Sequence, residues 1–222
     1  MAPAHTDRMR TERGFDRLVN FSDAVVAIAI TLLVLPLVEL ASDAAGEPSG
    51  QGALERIFRE NGFQFASFLL SFYVIGTLWR GHHRLFEYLR DYDKIVLRLN
   101  MLWLLTIVFL PFSTQMLGES SSDPAANALY VGTIFISSLS LFGLELWVRR
   151  HPYLRMAAED PGVPGEAGRA DHDPINGRIW VLPTALAIVG VIATVFPGVG
   201  LWGMLLLLVV GPVRRFGVNQ DK

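Results

Sequence analysis

The side chains that could do chemistry cluster near the start of the chain. Asp23 is a carboxylate in an otherwise apolar run, within the string Arg17-Leu18-Val19-Asn20-Phe21-Ser22-Asp23. An isolated carboxylate away from water is costly, so it needs a partner. Candidate partners are Arg17, Arg80, His82, His83 and the indole of Trp79, the last four from Trp79-Arg80-Gly81-His82-His83. Two chemistries follow. Either the cluster pins one helix to another through a paired charge, or it takes up an ion or a proton, as carboxylates and histidines inside membranes do. A resident metal centre is not expected. Neighbouring histidines do not share a helix face, and no third ligand follows at metal spacing. No Ser/His pair or paired carboxylates fall inside an apolar run, so no enzyme and no cofactor are expected.

After Asp23 the chain reads Ala24-Val25-Val26-Ala27-Ile28-Ala29-Ile30-Thr31-Leu32-Leu33-Val34-Leu35-Pro36. At about 100° per residue, Leu32 lies about 40° from Ile28, and Leu35 about 20° to its other side. Thr31 lies about 60° away and Asp23 about 140° away. One helix thus carries an apolar ladder with a single hydroxyl, and an acidic group on nearly the opposite face. Taken alone, such a ladder marks a lipid-facing or core surface. Pro36 has no N–H, so the carbonyl of Leu32 loses its helical partner and a kink is expected there.

The elements that must hold these residues are apolar throughout. The 222-residue chain has no cysteine, which excludes a disulfide framework and a thiol nucleophile. Its net charge of −2 argues against a nucleic-acid binder. Six apolar blocks stand out: Phe21–Leu40, Phe63–Trp79, Leu99–Leu117, Ala125–Val148, Ile179–Phe196 and Val199–Val213. Only Asp23, Glu39 and Glu145 among the 19 basic and 21 acidic residues fall inside them. Such blocks match the ~20 residues a helix needs to cross a ~30 Å bilayer core. Pro197-Gly198 divides the last two blocks into a tight hairpin of short spans.

An all-α polytopic membrane protein with six transmembrane helices is therefore expected. Residues 1–16 form a cytoplasmic amino-terminal segment, 17–215 the six-helix membrane domain, and 216–222 a cytoplasmic tail. Arg8–Arg17 begins a helix that runs into the first span. Residues 41–53 read as an outer loop and 157–177 as a cytoplasmic one. Six spans put both termini on one side of the cell membrane. All basic residues except Arg56 and Arg59 fall on that side, which the positive-inside rule makes cytoplasmic.

The Arg17-x-x-x-Phe21-Ser22-Asp23 string at the entry to the first span, with Trp79-Arg80-Gly81-His82-His83 after the second, resembles the signature of the transmembrane-protein-175 family. That family comprises endolysosomal potassium channels of animals and their prokaryotic relatives, and the single six-span set resembles the prokaryotic form. The resemblance implies a homotetramer in which the first helix of each subunit lines a central pore. It implies Ile28, Leu32 and Leu35 as apolar constrictions, with Ile28 and Thr31 governing selectivity. It implies Arg17, Phe21, Ser22, Asp23, Trp79, His82 and His83 as a packing and hydrogen-bonding network beside the pore. The chain has no Thr-Val-Gly-Tyr-Gly loop and no arginine series within a span. The expectation is a weakly to moderately potassium-selective channel closed by hydrophobic rings, with the permeant potassium ion as its only ligand. A rival reading is a proton-coupled secondary transporter using Asp23 with His82 or His83, although no internal repeat of the transporter kind is evident.

Overall fold

A computed structural model describes residues 4–45, 53–120 and 123–154. Its elements are α1 (Ala4–Leu32), α2 (Leu35–Ala45), α3 (Ala53–Glu60), α4 (Gly62–Glu87), α5 (Lys94–Glu119) and α6 (Pro124–Arg150), followed by a 3-10 turn at Pro152–Leu154. The described residues are all-helical, and four stretches are long and apolar enough to cross a membrane: Gly14–Ser42, Gly62–Glu87, Lys94–Glu119 and Pro124–Arg150. They coincide with the first four apolar blocks. The spans expected at Ile179–Phe196 and Val199–Val213, and the 157–177 loop, lie outside the described residues.

Local chemistry sets the helix ends more than hydropathy does. Asp93 has an extended backbone, and its Oδ1 accepts the Ile95 and Val96 N–H groups at 2.9 Å each, capping α5. Asp123 caps α6 in the same way, accepting from Ala125 N–H at 2.9 Å, with Pro124 in the first helical turn. At its carboxyl end, α4 runs on past Trp79 through the charged residues to Glu87. The link between the second and third spans is therefore only residues 88–93, because the polar residues before it stay helical.

The first span is one long helix with a break. The helix that begins at Ala4 runs without interruption through Asp23, then the regular bonding fails at Leu33 and Val34. There the N–H groups of Leu33 and Val34 donate to the carbonyls of Ile30 and Thr31, three residues back, at 3.3 Å each. Pro36 then sits in the first turn of α2, where its missing N–H costs least. The sequence reading placed an outer loop at 41–53, but α2 continues to Ala45 and α3 begins at Ala53. Short alanine-rich and charged stretches favour helix without being apolar.

Helix α5 is central and packs against α1, α4 and α6. Val74, Ile75 and Leu78 of α4, Trp103, Ile107 and Leu110 of α5, and Ile134, Leu141 and Leu144 of α6 fill the space between them. The start of α4 and the end of α5 meet closely at Gly118. A Cβ there would lie 2.9 Å from Gln64 Cγ and 3.1 Å from Ser67 Oγ. Most of the buried hydroxyls are satisfied within the bundle, while Ser137 and Ser138 of α6 find no partner among the described residues. Thr106, Ser113, Thr114, Thr133 and Ser140 each donate to a carbonyl of their own helix.

The two faces of the first span

Helix α1 buries one side and exposes the other. Phe15, Leu18, Ser22, Val26, Ala29 and Leu33 are buried against the other helices of the subunit. Their spacing of three and four residues is one face of an α-helix.

The buried face carries a chain of hydrogen bonds. The Ser22 hydroxyl donates to the carbonyl of Leu18 at 2.9 Å and accepts from Asn100 Nδ2 at 3.0 Å. The other end of the Asn100 amide, Oδ1, lies 2.7 Å from His82 Nε2. With Nδ2 committed to Ser22, Oδ1 is an acceptor and His82 carries its proton on Nε2. Ser22, His82 and Asn100 are all buried. The imidazole is held between Phe86 and Trp103, with ring centroids 4.1 Å away on each side. Beside this chain, Asp23 Oδ1 accepts the Trp79 indole N–H at 2.8 Å. Trp79 stacks on His83 at 5.2 Å, and His83 in turn pairs with Glu87 at 3.3 Å near the surface.

Four of the residues singled out in the sequence, Ser22, Asp23, Trp79 and His82, therefore join the first span to the second. His83 supports Trp79 from outside. Arg17 and Phe21 lie elsewhere. Both project from the exposed side of α1, Phe21 with 52% of its surface free, and Arg17 makes no ion pair with Asp23. Sequence reasoning missed Asn100, the link between Ser22 and His82. Its signal was an amide inside an apolar block, which needs a partner as a charge does.

The ladder residues are on the exposed side. Ile28 is 60% exposed, and Thr31, Leu32 and Leu35 are exposed as well. The Thr31 hydroxyl donates to the carbonyl of Ile28 at 2.7 Å. Its proton is thereby committed to the helix, and what it offers outward is oxygen lone pairs. This face is an oxygen acceptor flanked by bulky apolar side chains, directly before the helix break.

A second cluster closes the end of the bundle where α4 runs out and α5 begins. Asp93 Oδ2 accepts the Trp147 indole N–H at 2.9 Å and the Tyr153 hydroxyl at 3.3 Å. Arg90 N–H donates to the carbonyl of Leu154 at 2.9 Å. Burial alone would raise the Asp93 carboxyl, but the N–H of Val96, the Trp147 indole, the N–H of Ile95 and the Tyr153 hydroxyl outweigh it and hold Asp93 below the usual carboxylate range. Among the described residues no group of three or more His, Asp or Glu side chains could hold a metal ion.

Comparison with known proteins agrees with this architecture. Residues 17–111, which span the exposed ladder and the Ser22–Asn100–His82 chain, match the family described as "Endosomal/lysosomal potassium channel TMEM175". A protein of Streptomyces collinus named as a potassium channel is 33% identical over 158 residues, covering 69% of this chain and 72% of the relative. One from Chamaesiphon minutus, also named as a potassium channel, is 34% identical over 185 residues, covering 79% and 85%. The chain spans only 30% of the Danio rerio endosomal/lysosomal proton channel TMEM175, to which it is 28% identical over 157 residues. The crystal structure of a lysosomal potassium-selective channel TMEM175 homolog from Chamaesiphon minutus superposes with a TM-score of 0.60 at 23% identity, covering 89% of this chain and 96% of that one, and so shares the fold. The chain belongs to the TMEM175 family, a family of ion channels and not of enzymes.

Proposed function

We propose that this protein is a potassium-permeable cation channel of the cell membrane. Four copies surround a central pore, with six spans per subunit and both termini cytoplasmic. The observation that carries the reading is the split character of α1: a face anchored by buried hydrogen bonds, and an opposite face of Ile28, Thr31, Leu32 and Leu35 left uncovered by the described residues of its own subunit. A single helix cannot enclose a path, so the uncovered faces of several copies must do it. The names of the bacterial relatives support potassium as the permeant ion.

In this arrangement four Ile28 side chains form the narrowest ring. A narrow apolar ring expels water, and an ion must shed part of its hydration to cross. Potassium holds its water less tightly than sodium and is hindered less. The Thr31 oxygens, one turn outward, replace part of the lost hydration, and because they act only as acceptors they suit a cation. The preference for potassium is accordingly weak to moderate. Leu32 and Leu35 continue the apolar lining outward. Ser22, Asp23, Trp79, His82 and His83, with Asn100, brace the pore helix from behind, while Arg17 and Phe21 stand toward the inner mouth.

The transporter reading is less well supported. Of the two histidines it could use with Asp23, His82 is 1% exposed and enclosed between two rings, and His83 turns to the surface, where it pairs with Glu87 and not with Asp23. The test is flux into liposomes loaded with purified protein, under potassium and sodium gradients. Ile28→Asn is expected to raise cation flux and flatten the potassium-to-sodium ratio, and Thr31→Ala to lower that ratio. Unchanged flux and ratio in both variants would overturn the assignment.

A further inference from the structure

Three charged residues lie inside the apolar blocks, and two are engaged within the subunit. Asp23 accepts from Trp79, and Glu145 pairs with Arg149 at 2.6 Å. The third, Glu39, is exposed on α2 and pairs with no cation among the described residues. A carboxylate in the last turns of a membrane span is costly unless it meets water or a cation.

Its position along the helix is specific. Ile28, Leu32, Leu35 and Glu39 follow the i, i+4, i+7, i+11 spacing of one helical stripe. All four are exposed, on both sides of the break at Leu33 and Val34. Glu39 stands about 16 Å beyond Ile28 at ordinary helical rise. At the opposite end of the stripe the charge is positive, since Arg17 is exposed about 16 Å inward of Ile28.

We propose that Glu39 sets the ion throughput of the channel from its outer mouth. The inference rests on the pore reading of α1. Four copies place four carboxylates around the outer entrance, just beyond the apolar rings. A ring of one sign at a narrow entrance focuses its field and raises the local concentration of counter-ions. Potassium arriving from outside is concentrated before it meets the Ile28 barrier. The ring touches no rate-limiting constriction, so it changes how often ions arrive and not which ion crosses.

The test uses unitary currents of the full-length protein in planar bilayers, with Glu39→Gln compared to wild type. At about 0.01 M potassium the screening length is ~30 Å and the ring is felt across the entrance, whereas at about 1 M it is ~3 Å. The variant is expected to lower inward current about threefold at low salt. The two currents should converge at high salt, with the potassium-to-sodium ratio unchanged. Because the chain has no cysteine, Glu39→Cys offers a unique thiol. A thiol-reactive sulfonate should restore the low-salt current and a thiol-reactive ammonium should lower it further. Equal currents at low salt, a deficit that persists at high salt, or reagents without opposite effects would overturn the ring while leaving the pore reading in place. An absence of unitary current in wild type would instead remove the pore reading, and the ring with it.

Discussion

At the scale of single residues, the buried amide of Asn100 ties the first three spans together. It satisfies the Ser22 hydroxyl with one end and the His82 ring with the other, so three helices meet at one side chain. Asn100→Leu removes the partner that Ser22 and His82 share and fills the space with hydrocarbon; Ser22 keeps its bond to the Leu18 carbonyl, and His82 Nε2 is left without one. Each buried polar group left without a partner costs about 1–3 kcal/mol, and the loss is expected as a lower melting temperature of the detergent-solubilised protein. The further loss on adding Ser22→Ala should be much smaller than Ser22→Ala costs in the wild-type background, because the two residues share one interaction. Equal losses in both backgrounds would show that the hydrogen bond contributes nothing. The sequence displayed part of this cluster. Asp23 stood out by charge, and Trp79 and His82 were among its candidate neighbours. The pairing was not legible: the indole, not a cation, meets Asp23, and His82 goes to Asn100 instead. Which partner wins depends on the rotation of three helices, and the apolar pattern of nearly uniform spans leaves that rotation open.

At the scale of elements, the sequence was read correctly where physical chemistry is local. Pro36 called for a disturbed helix, and the regular bonding does fail at Leu33 and Val34. Four apolar blocks became four span-length helices. The helix ends were misjudged, because caps end helices and hydropathy does not. Asp93 is the clearest case: one oxygen caps α5, and the other holds Trp147 of α6 and Tyr153 beyond it. Those four donors hold its carboxyl below its ordinary range against the effect of burial. A depressed folded pKa means that the unfolded chain binds the proton more tightly. The stabilisation is therefore present above the unfolded value of about 3.9 and is lost as the pH falls through the lower folded value. Asp93→Ala is expected to cost about 1 kcal/mol at neutral pH. The gap between wild type and variant should narrow below about pH 4. Thermal melts across pH check this, and a gap that stays constant into strong acid would assign the loss to packing alone.

At the scale of the whole molecule, the chain is legible as an asymmetric object. With the six spans proposed above, all but two of its basic residues fall on one side of the membrane, and the few charges inside the first four spans have separate roles. What the described residues of one subunit leave undone is the covering of the Ile28 face of α1. Its exposed ladder would face lipid in a monomer, and nothing in the apolar residues alone opposes that. The Thr31 hydroxyl, with its proton turned inward, and Glu39 on the same stripe are poorly suited to hydrocarbon. Enclosure by further copies resolves both, and it has a countable consequence. If each subunit contributes one Ile28 to a common ring, mixtures of wild-type and Ile28→Asn chains assemble channels with every number of asparagines. Each added amide lets water further into the ring and lowers the dewetting barrier. Unitary conductance should then rise in graded steps, with one more class than the number of subunits, and the class frequencies should follow the mixing ratio binomially. Only the two parental conductances, in proportion to the chains supplied, would mean that each pore belongs to a single subunit.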